Sequence, residues 1–288
     1  FKTDQFWETI AATKATFAIL LGVMTRYLLS QPETPAEKAG HLRSIIQQPF
    51  DDDAPALRAR FNIDIYTSFN MTEVSLPIVS EANPPVPGTC GKARDGVELR
   101  IVDAYDCEVP TGETGELIIR TDRPWSMMHG YYNEPEATAR AWRNGWFHTG
   151  DVFRKNEDGY YFFVDRLKDA IRRRGENISS IEVELEIAAF PGITEVAVIG
   201  VPTAHGDDDV MAIIATAEGG NVEPATLIEH LAERLPHFAV PRFIRSMQSL
   251  PKTSTGKIKK HELRGNEVGA NVWDREAHGI ALKRKKLS

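Results

Sequence analysis

Residues 1 to about 75 switch repeatedly between helical spacing of apolar positions and short continuous apolar runs, and this switching limits the fold more than any other feature. Helical spacing predicts a helix over Phe6 to Thr13, and "TFAILLG" then reads as a buried strand. A helix "VMTRYLLS", a strand "LRSIIQ", a helix "APALRARFN" and a strand "IDIYTSF" follow, the last closed by Thr72 and Glu73. Strands separated by helices require crossover connections, so the sheet they build is largely parallel. After the loop "EANPPVPGTCG" the texture changes. "VELRIVDA", "GELIIRT" and "DGYYFFVDR" alternate apolar and polar residues around glycine turns, which predicts antiparallel hairpins in a small barrel or sheet layer. Beyond Lys168 the order is a helix "SSIEVELEIAAF" capped by Ser179 or Ser180, two strands, and a helix "PATLIEHLAERL" with Pro224 in its first turn. That order describes a separate α+β unit, with the boundary near Lys168 and a basic tail at the end.

With 288 residues and 42% apolar content, the chain can build more than one packed core. A net charge of -7 supplies no bulk field for nucleic acid, which is therefore not an expected partner. Cys90 and Cys107 have no metal-ligand spacing and are too few for a disulfide scaffold, which fits a reducing, cytoplasmic setting. The run "FAILLGVM" is too short to span a bilayer and is closed by Arg26. Oligomeric state is left open, a homodimer included.

"LPKTSTGKIKK" places Gly-Lys after hydroxyl residues, as a phosphate-cradling loop does. Such a loop needs glycine five positions before its Gly-Lys pair and a hydroxyl directly after the lysine, and Pro251 and Ile258 stand there instead. Lys257 must meet an anion in another way. Three further segments concentrate polar residues: "FNMTE" (Phe69 to Glu73), "GWFHTGD" (Gly145 to Asp151) and "DRLKDAIRRRGENISSIEVE" (Asp165 to Glu184).

These four segments, with "GYYNEPEAT" and "LPHFAVP", resemble in order and spacing the core motifs of the AMP-forming adenylate-forming superfamily. "YTSFNMTEVS" and "VWDRE" are most similar to the crotonobetaine/carnitine-CoA ligase-like branch. The resemblance implies an α/β plus α+β architecture. Residues 1–167 would be the later part of a large domain, with 1–85 in its parallel sheet and 86–167 in its antiparallel β-barrel, and 168–288 a small mobile lid domain. It also implies an ATP-dependent acid–thiol ligase that uses Mg²⁺, with a small-molecule carboxylic acid, ATP and coenzyme A as partners and AMP as a product.

Carried over position by position, the resemblance gives Lys257 the substrate carboxylate and the α-phosphate. A lysine suits that task as a point charge on a flexible stem that can be delivered and withdrawn. Asp151 and Arg166 would hold the ribose, since one carboxylate can accept from two vicinal hydroxyls. Glu73 would help hold Mg²⁺ and Thr72 a phosphate or the carboxylate. Phe69 stands where a tyrosine near the adenine is usual, and Asn70 where the acyl pocket is usually lined by glycine, which points to a small polar acid. Lys168 would be the hinge. Arg174, Gly175 and Glu176 would meet coenzyme A, with Arg172 and Arg173 also candidates for its phosphates or else a solvated charge run. His148 reads as packing.

A second Ser/Thr/Gly-rich phosphate loop, expected upstream, does not occur in this sequence. The expectation is therefore the C-terminal portion of a longer enzyme, inactive by itself. A truncated relative that binds a nucleotide or a partner without turnover, and an adenylation domain that loads a carrier protein, are the alternatives.

Overall fold

The computed structural model describes residues 2–173, 176–203, 207–217, 220, 222–253, 256–264 and 272–282. The chain is mixed α/β and divides into two compact units, Phe1–Phe163 and Val164–Ser288.

The first unit opens with helix α1 (Phe6–Thr13), which stops where Lys14 turns left-handed at φ 53°. Strands β1 (Phe17–Leu21), β2 (Ser44–Gln48) and β3 (Asp64–Tyr66) form a parallel sheet in that order, linked through helices α2 (Gly22–Ser30) and α3 (Ala54–Phe61). Leu20, Ile45 and Ile65 turn inward and pack with Leu28 and Leu57 in one buried cluster. On β1, an edge of the sheet, alternate residues face outward instead: Phe17, Ile19 and Leu21 are 48%, 61% and 49% exposed.

The expected single strand from Ile63 is broken at Thr67. Side chains take over the outer edge of β3 there: Ile65 N donates to Asn83 Oδ1 at 3.0 Å and Thr67 N to Ser80 Oγ at 2.8 Å. The chain is then free to leave as β4 (Ser68–Met71), which pairs antiparallel with β5 (Ser75–Val79), and β5 pairs with β6 (Lys92–Ala93). Strand β7 (Val97–Val102) pairs with β8 (Thr114–Thr121). After helix α4 (Pro135–Ala141), the short β9 (Trp142–Arg143), β10 (Trp146–Lys155) and β11 (Tyr161–Arg166) complete an antiparallel sheet of order β11–β10–β8–β7, with β9 on β10. The barrel portion expected over 86–167 takes in β4 and β5 as well, which were expected in the parallel-sheet part, and two antiparallel sheets share a core of Ile78, Ile101, Leu117, Ile119, Phe147, Phe153 and Tyr161. A bridge between Gly91 and Tyr161 joins them. Only glycine fits at that joint, because a Cβ on Gly91 would lie 2.3 Å from the Val79 carbonyl.

The second unit starts with the hairpin β12 (Ile171–Arg173) and β13 (Glu176–Ile178). Helix α5 (Ser180–Ala188) follows, and of the two candidate caps Ser179 serves, its side chain accepting from Glu182 N. Strands β14 (Ile193–Pro202), β15 (Asp208–Thr216), β16 (Phe243–Met247) and β17 (Val272–Asp274) form one sheet in that order, with helix α6 (Pro224–Arg234) between β15 and β16 and the short α7 (Lys260–Leu263) before β17. The two-residue period of β14 and β15 divides their side chains between two cores. Val198, Val210, Ala212 and Ile214 pack with helices α5 and α6, whereas Ala197, Ile199, Met211 and Ile213 pack with Leu250 and Leu263.

The fold distinguishes the two thiols. Burial pushes Cys90 up to about 11, so it stays protonated at neutral pH, whereas Cys107 is exposed. Iodoacetamide is expected to alkylate Cys107 at least about tenfold faster than Cys90 in the native chain, the difference vanishing in denaturant. Peptide mass mapping reads both sites, and equal native rates would mean that the segment around Gly91 opens readily.

Candidate functional site

In the first unit Thr72 and Glu73 lie in the turn between β4 and β5, with Thr72 exposed and Glu73 half-buried. The Glu73 carboxylate accepts from Tyr131 Oη at 3.0 Å, while its backbone carbonyl accepts from Met128 N at 2.8 Å. Tyr131 is itself held: its backbone N donates to Thr138 Oγ1 at 2.9 Å, and a Cβ on Gly130 would come 2.8 Å from Thr138 Cγ2. "GYYNEPEAT" is thus a bracket for Glu73, with Pro135 starting α4 behind it. Phe69 packs its ring edge against Phe153 with centroids 4.9 Å apart.

Asp151 lies in an interruption of β10. The pairing with β8 runs through His148 to Ile118 and resumes at Val152 to Glu116, so Thr149, Gly150 and Asp151 bulge opposite Leu117. Gly150 takes φ +69°, a value that favours glycine. Glu116 fastens the bulge with both oxygens. One accepts from Gly150 N at 3.0 Å, and the other lies 2.9 Å from His148 Nδ1 and 3.1 Å from Arg143 Nη2. Thr149 Oγ1 donates to Leu117 O at 2.7 Å and accepts from Asp151 N at 3.0 Å. Asp151 is consequently held in place and buried, at 4% exposure. His148, read from sequence as packing, is buried within this polar cluster.

In the second unit Lys257 sits on a short hairpin. Lys252 bridges to Ile258, Thr253 N donates to Lys257 O at 2.8 Å, and Lys257 N donates to Thr253 Oγ1 at 3.1 Å. Both ends of the hairpin are fastened. Glu195 on β14 accepts from Leu250 N at 2.8 Å and pairs with Lys252 at 2.5 Å. Lys260 reaches Glu184 Oε1 at 2.7 Å and Ser180 Oγ at 2.6 Å on α5. Thr253 and Lys257 are thus hydrogen-bonded to each other through backbone and hydroxyl, while residues 254 and 255 lie outside the described residues. The Lys257 side chain is exposed.

The same framework reaches the segment that contains Arg166 and Lys168, both exposed. Buried Asp165 accepts from Arg166 N at 2.7 Å and from Ser180 N at 2.5 Å. Asp169 N and Ala170 N donate to Arg166 O, and Asp169 pairs with Arg264 at 2.6 Å. Glu176 is exposed on β13, while Arg174 and Gly175 lie outside the described residues. Arg173 is no solvated charge. It is 4% exposed, pairs with Asp209 at 2.8 Å and donates to Phe238 O, because strand alternation turns it inward and leaves Arg172 out.

Sequence reading overlooked Tyr131, Glu116, Glu184, Glu195 and Lys260. Tyr131 stood inside a noticed motif, but the carboxylates find their partners 14 to 76 residues away, and no local pattern carries that.

Truncating Glu116→Ala leaves a buried imidazole and the Gly150 N–H short of a partner, so it is expected to cost about 1–3 kcal/mol in urea unfolding. Glu116→Gln, which can accept from Gly150 and donate to His148, should cost clearly less, and equal losses would refute the clamp. A second expectation concerns pH. The hydrogen bond from Lys252, and then that from Leu250 N, hold Glu195 below the usual carboxylate range. A lowered folded value means that the stabilisation is full above the ordinary carboxylate range and is lost as pH falls through the folded value. Exchange protection of the Leu250 amide, corrected for intrinsic rate, should fall below roughly pH 4 and lose that dependence in Glu195→Gln.

Comparison with known proteins gives this geometry a lineage. Residues 1–132 match the AMP-binding enzyme family, and residues 182–257 match the AMP-binding enzyme C-terminal domain. The chain is 34% identical over 273 residues to the crotonobetaine/carnitine–CoA ligase of Salmonella typhi, covering 92% of this chain and 52% of that enzyme. The crystal structure of ATP-bound MatB from Rhodopseudomonas palustris superposes with a TM-score of 0.77 at 30% identity, covering 92% of this chain and 53% of that one. The amide bond synthetase McbA from Marinactinospora thermotolerans does so at 0.75 and 27%, covering 92% and 55%. The chain spans about half the length of these relatives. It belongs to the AMP-binding, adenylate-forming enzymes.

Proposed function

We propose that the chain carries part of an AMP-forming carboxylic acid:CoA ligase, in which an acid attacks the α-phosphorus of ATP and a thiol then displaces AMP from the acyl-adenylate. The observation that carries this reading is the fastened hairpin that presents Lys257. An exposed cation on a hydrogen-bonded hairpin, with no carboxylate paired to it among the described residues, is what two anions need as they are brought together. Lys257 contacts the carboxylate and the α-phosphate. Thr72 donates to a phosphate or to the carboxylate, Asp151 and Arg166 take the ribose hydroxyls, and Phe69 borders the adenine.

Among the described residues no group of three or more carboxylate, histidine or cysteine side chains could hold a metal. Magnesium in nucleotide sites keeps water and phosphate oxygens and takes only one or two carboxylates, so Glu73, braced by Tyr131, fits that donor set. When bound, the ion neutralises charge on the phosphates. Lys168 is the hinge between the adenylating and thioester-forming poses, close to the start of the second unit at Val164, and Arg174, Gly175 and Glu176 meet the incoming coenzyme A. Asn70 lines the acyl pocket and favours a small, polar, carnitine-like acid. No helix among the described residues is long and apolar enough to cross a membrane. The use of only two cysteines supports our placing the activity in the reducing cytoplasm. The likeness to an amide bond synthetase favours a second reading, in which an amine takes the acyl group.

In the polypeptide as the cell makes it, Lys257→Ala is expected to reduce acid-dependent ATP–pyrophosphate exchange by at least about a hundredfold. It should leave thioester formation from supplied acyl-adenylate within a few-fold of wild type. Lys168→Pro is expected to do the reverse. Equal losses in both half-reactions would remove Lys257 from its role, and an amide product with no thioester would establish the amine acceptor.

A further inference from the structure

The carboxyl ends of the parallel strands carry a second set of oriented polar groups. Ligands of open parallel sheets bind beyond such ends. Strand β2 ends at Gln48, and the chain leaving β3 reaches Asn70 within four residues of Tyr66. Gln48 Nε2 lies 2.7 Å from Ser68 O, 2.8 Å from Ser68 Oγ and 3.2 Å from Asn70 Oδ1.

The two ends of a side-chain amide look alike, and only a neighbour of fixed polarity can orient one. Ser68 O is a backbone carbonyl and can only accept, so the Gln48 atom facing it must be the NH₂ group. That NH₂ can only donate, so the Asn70 atom facing it must be the carbonyl oxygen. Asn70 therefore turns its own NH₂ away from Gln48. Asn70 is exposed, and among the described residues nothing accepts from its Nδ2. A backbone carbonyl has, through two relays, fixed two N–H donors at the surface two residues before Thr72.

We propose that Gln48 and Asn70 form a donor face that selects a carboxylic acid bearing a second oxygen acceptor, a hydroxyl or keto oxygen, along its carbon chain. Gln48 is the positioning residue and Asn70 the one that touches substrate. The proposal rests on the acid-activating reading above for the identity of the ligand as an acid. A purely alkyl acid gains nothing at this face and strips water from donors that it cannot replace, which is how a site built around hydrogen bonds rejects an apolar analogue.

The test uses butanoate, hydroxybutanoate and oxobutanoate as a matched set. Side-chain amide resonances of Asn70 are followed by NMR in this chain, and acid-dependent ATP–pyrophosphate exchange is followed in the polypeptide as the cell makes it. The oxygen-bearing acids should shift the Asn70 NH₂ signals where butanoate does not, and kcat/KM should favour them by at least about tenfold. Asn70→Asp replaces the donors with an acceptor of the same shape and should abolish that preference. Gln48→Met removes the orienting donor together with its hydrogen bonds to Ser68, so the ratio of kcat/KM for the oxygen-bearing acids to that for butanoate should shrink several-fold. No preference in wild type, or a preference that survives Asn70→Asp, would overturn the proposal. Selective shifts at Asn70 without exchange activity toward any acid would uphold the donor face and sink the ligase reading. Equal shifts with all three acids would sink the donor face alone.

Discussion

The Glu116 carboxylate is the contact on which the arrangement of the first unit turns. A bulge on a buried strand releases backbone groups from the ladder, and each must find a partner or be desolvated for nothing. Glu116 reaches the released Gly150 N–H from the neighbouring strand and engages His148 with its other oxygen. Without it, the Gly150 N–H would lose its partner, and only Thr149, bonded to Leu117 O and Asp151 N, would fasten the three residues that stand out of register. The second unit solves a similar problem with Glu195 and Glu184, which fasten the two ends of the Lys257 hairpin. In each unit a carboxylate from another strand or helix fastens the segment that carries a residue expected to meet a ligand.

These mounts differ in energetic character. Burial raises Glu184 above the usual carboxylate range, against the opposing pull of Lys260 and the Val198 amide. Such a pair contributes little net stability, but removing one partner strands the other, so it fixes geometry more than it deepens the folded minimum. Glu195 and Lys252 are more open to solvent, and their worth is modest.

Much of the architecture was legible because local pattern and tertiary packing agree. The short apolar runs around Phe17–Leu21, Ser44–Gln48 and Asp64–Tyr66 mark the strands, although "TFAILLG", expected to be buried, buries only Leu20 and turns Phe17, Ile19 and Leu21 outward because it forms an edge of the sheet. Ser179 and Pro224 announce the starts of α5 and α6. The break at Thr67 was not legible, since "IDIYTSF" holds no turn residue and the interruption comes from Ser80 and Asn83 later in the chain. Arg173 misled for a related reason. Three consecutive arginines suggest a solvated face, but a strand turns alternate residues inward, and Asp209 waits there on β15. The ligand-facing candidates Lys257, Asp151 and Glu73 were visible as residues, whereas their supports were not, because a hydrogen bond between distant residues leaves no periodic trace.

The outward row of Phe17, Ile19 and Leu21 on β1 has a consequence for how the chain behaves among its neighbours. An edge strand offers unpaired N–H and C=O groups, and here one of its faces is apolar as well, without the charges, prolines or bulges that usually blunt such edges. Presented bare in concentrated solution, that row is a template for strand addition between molecules. A single charge placed on that row would blunt the edge and its apolar face together.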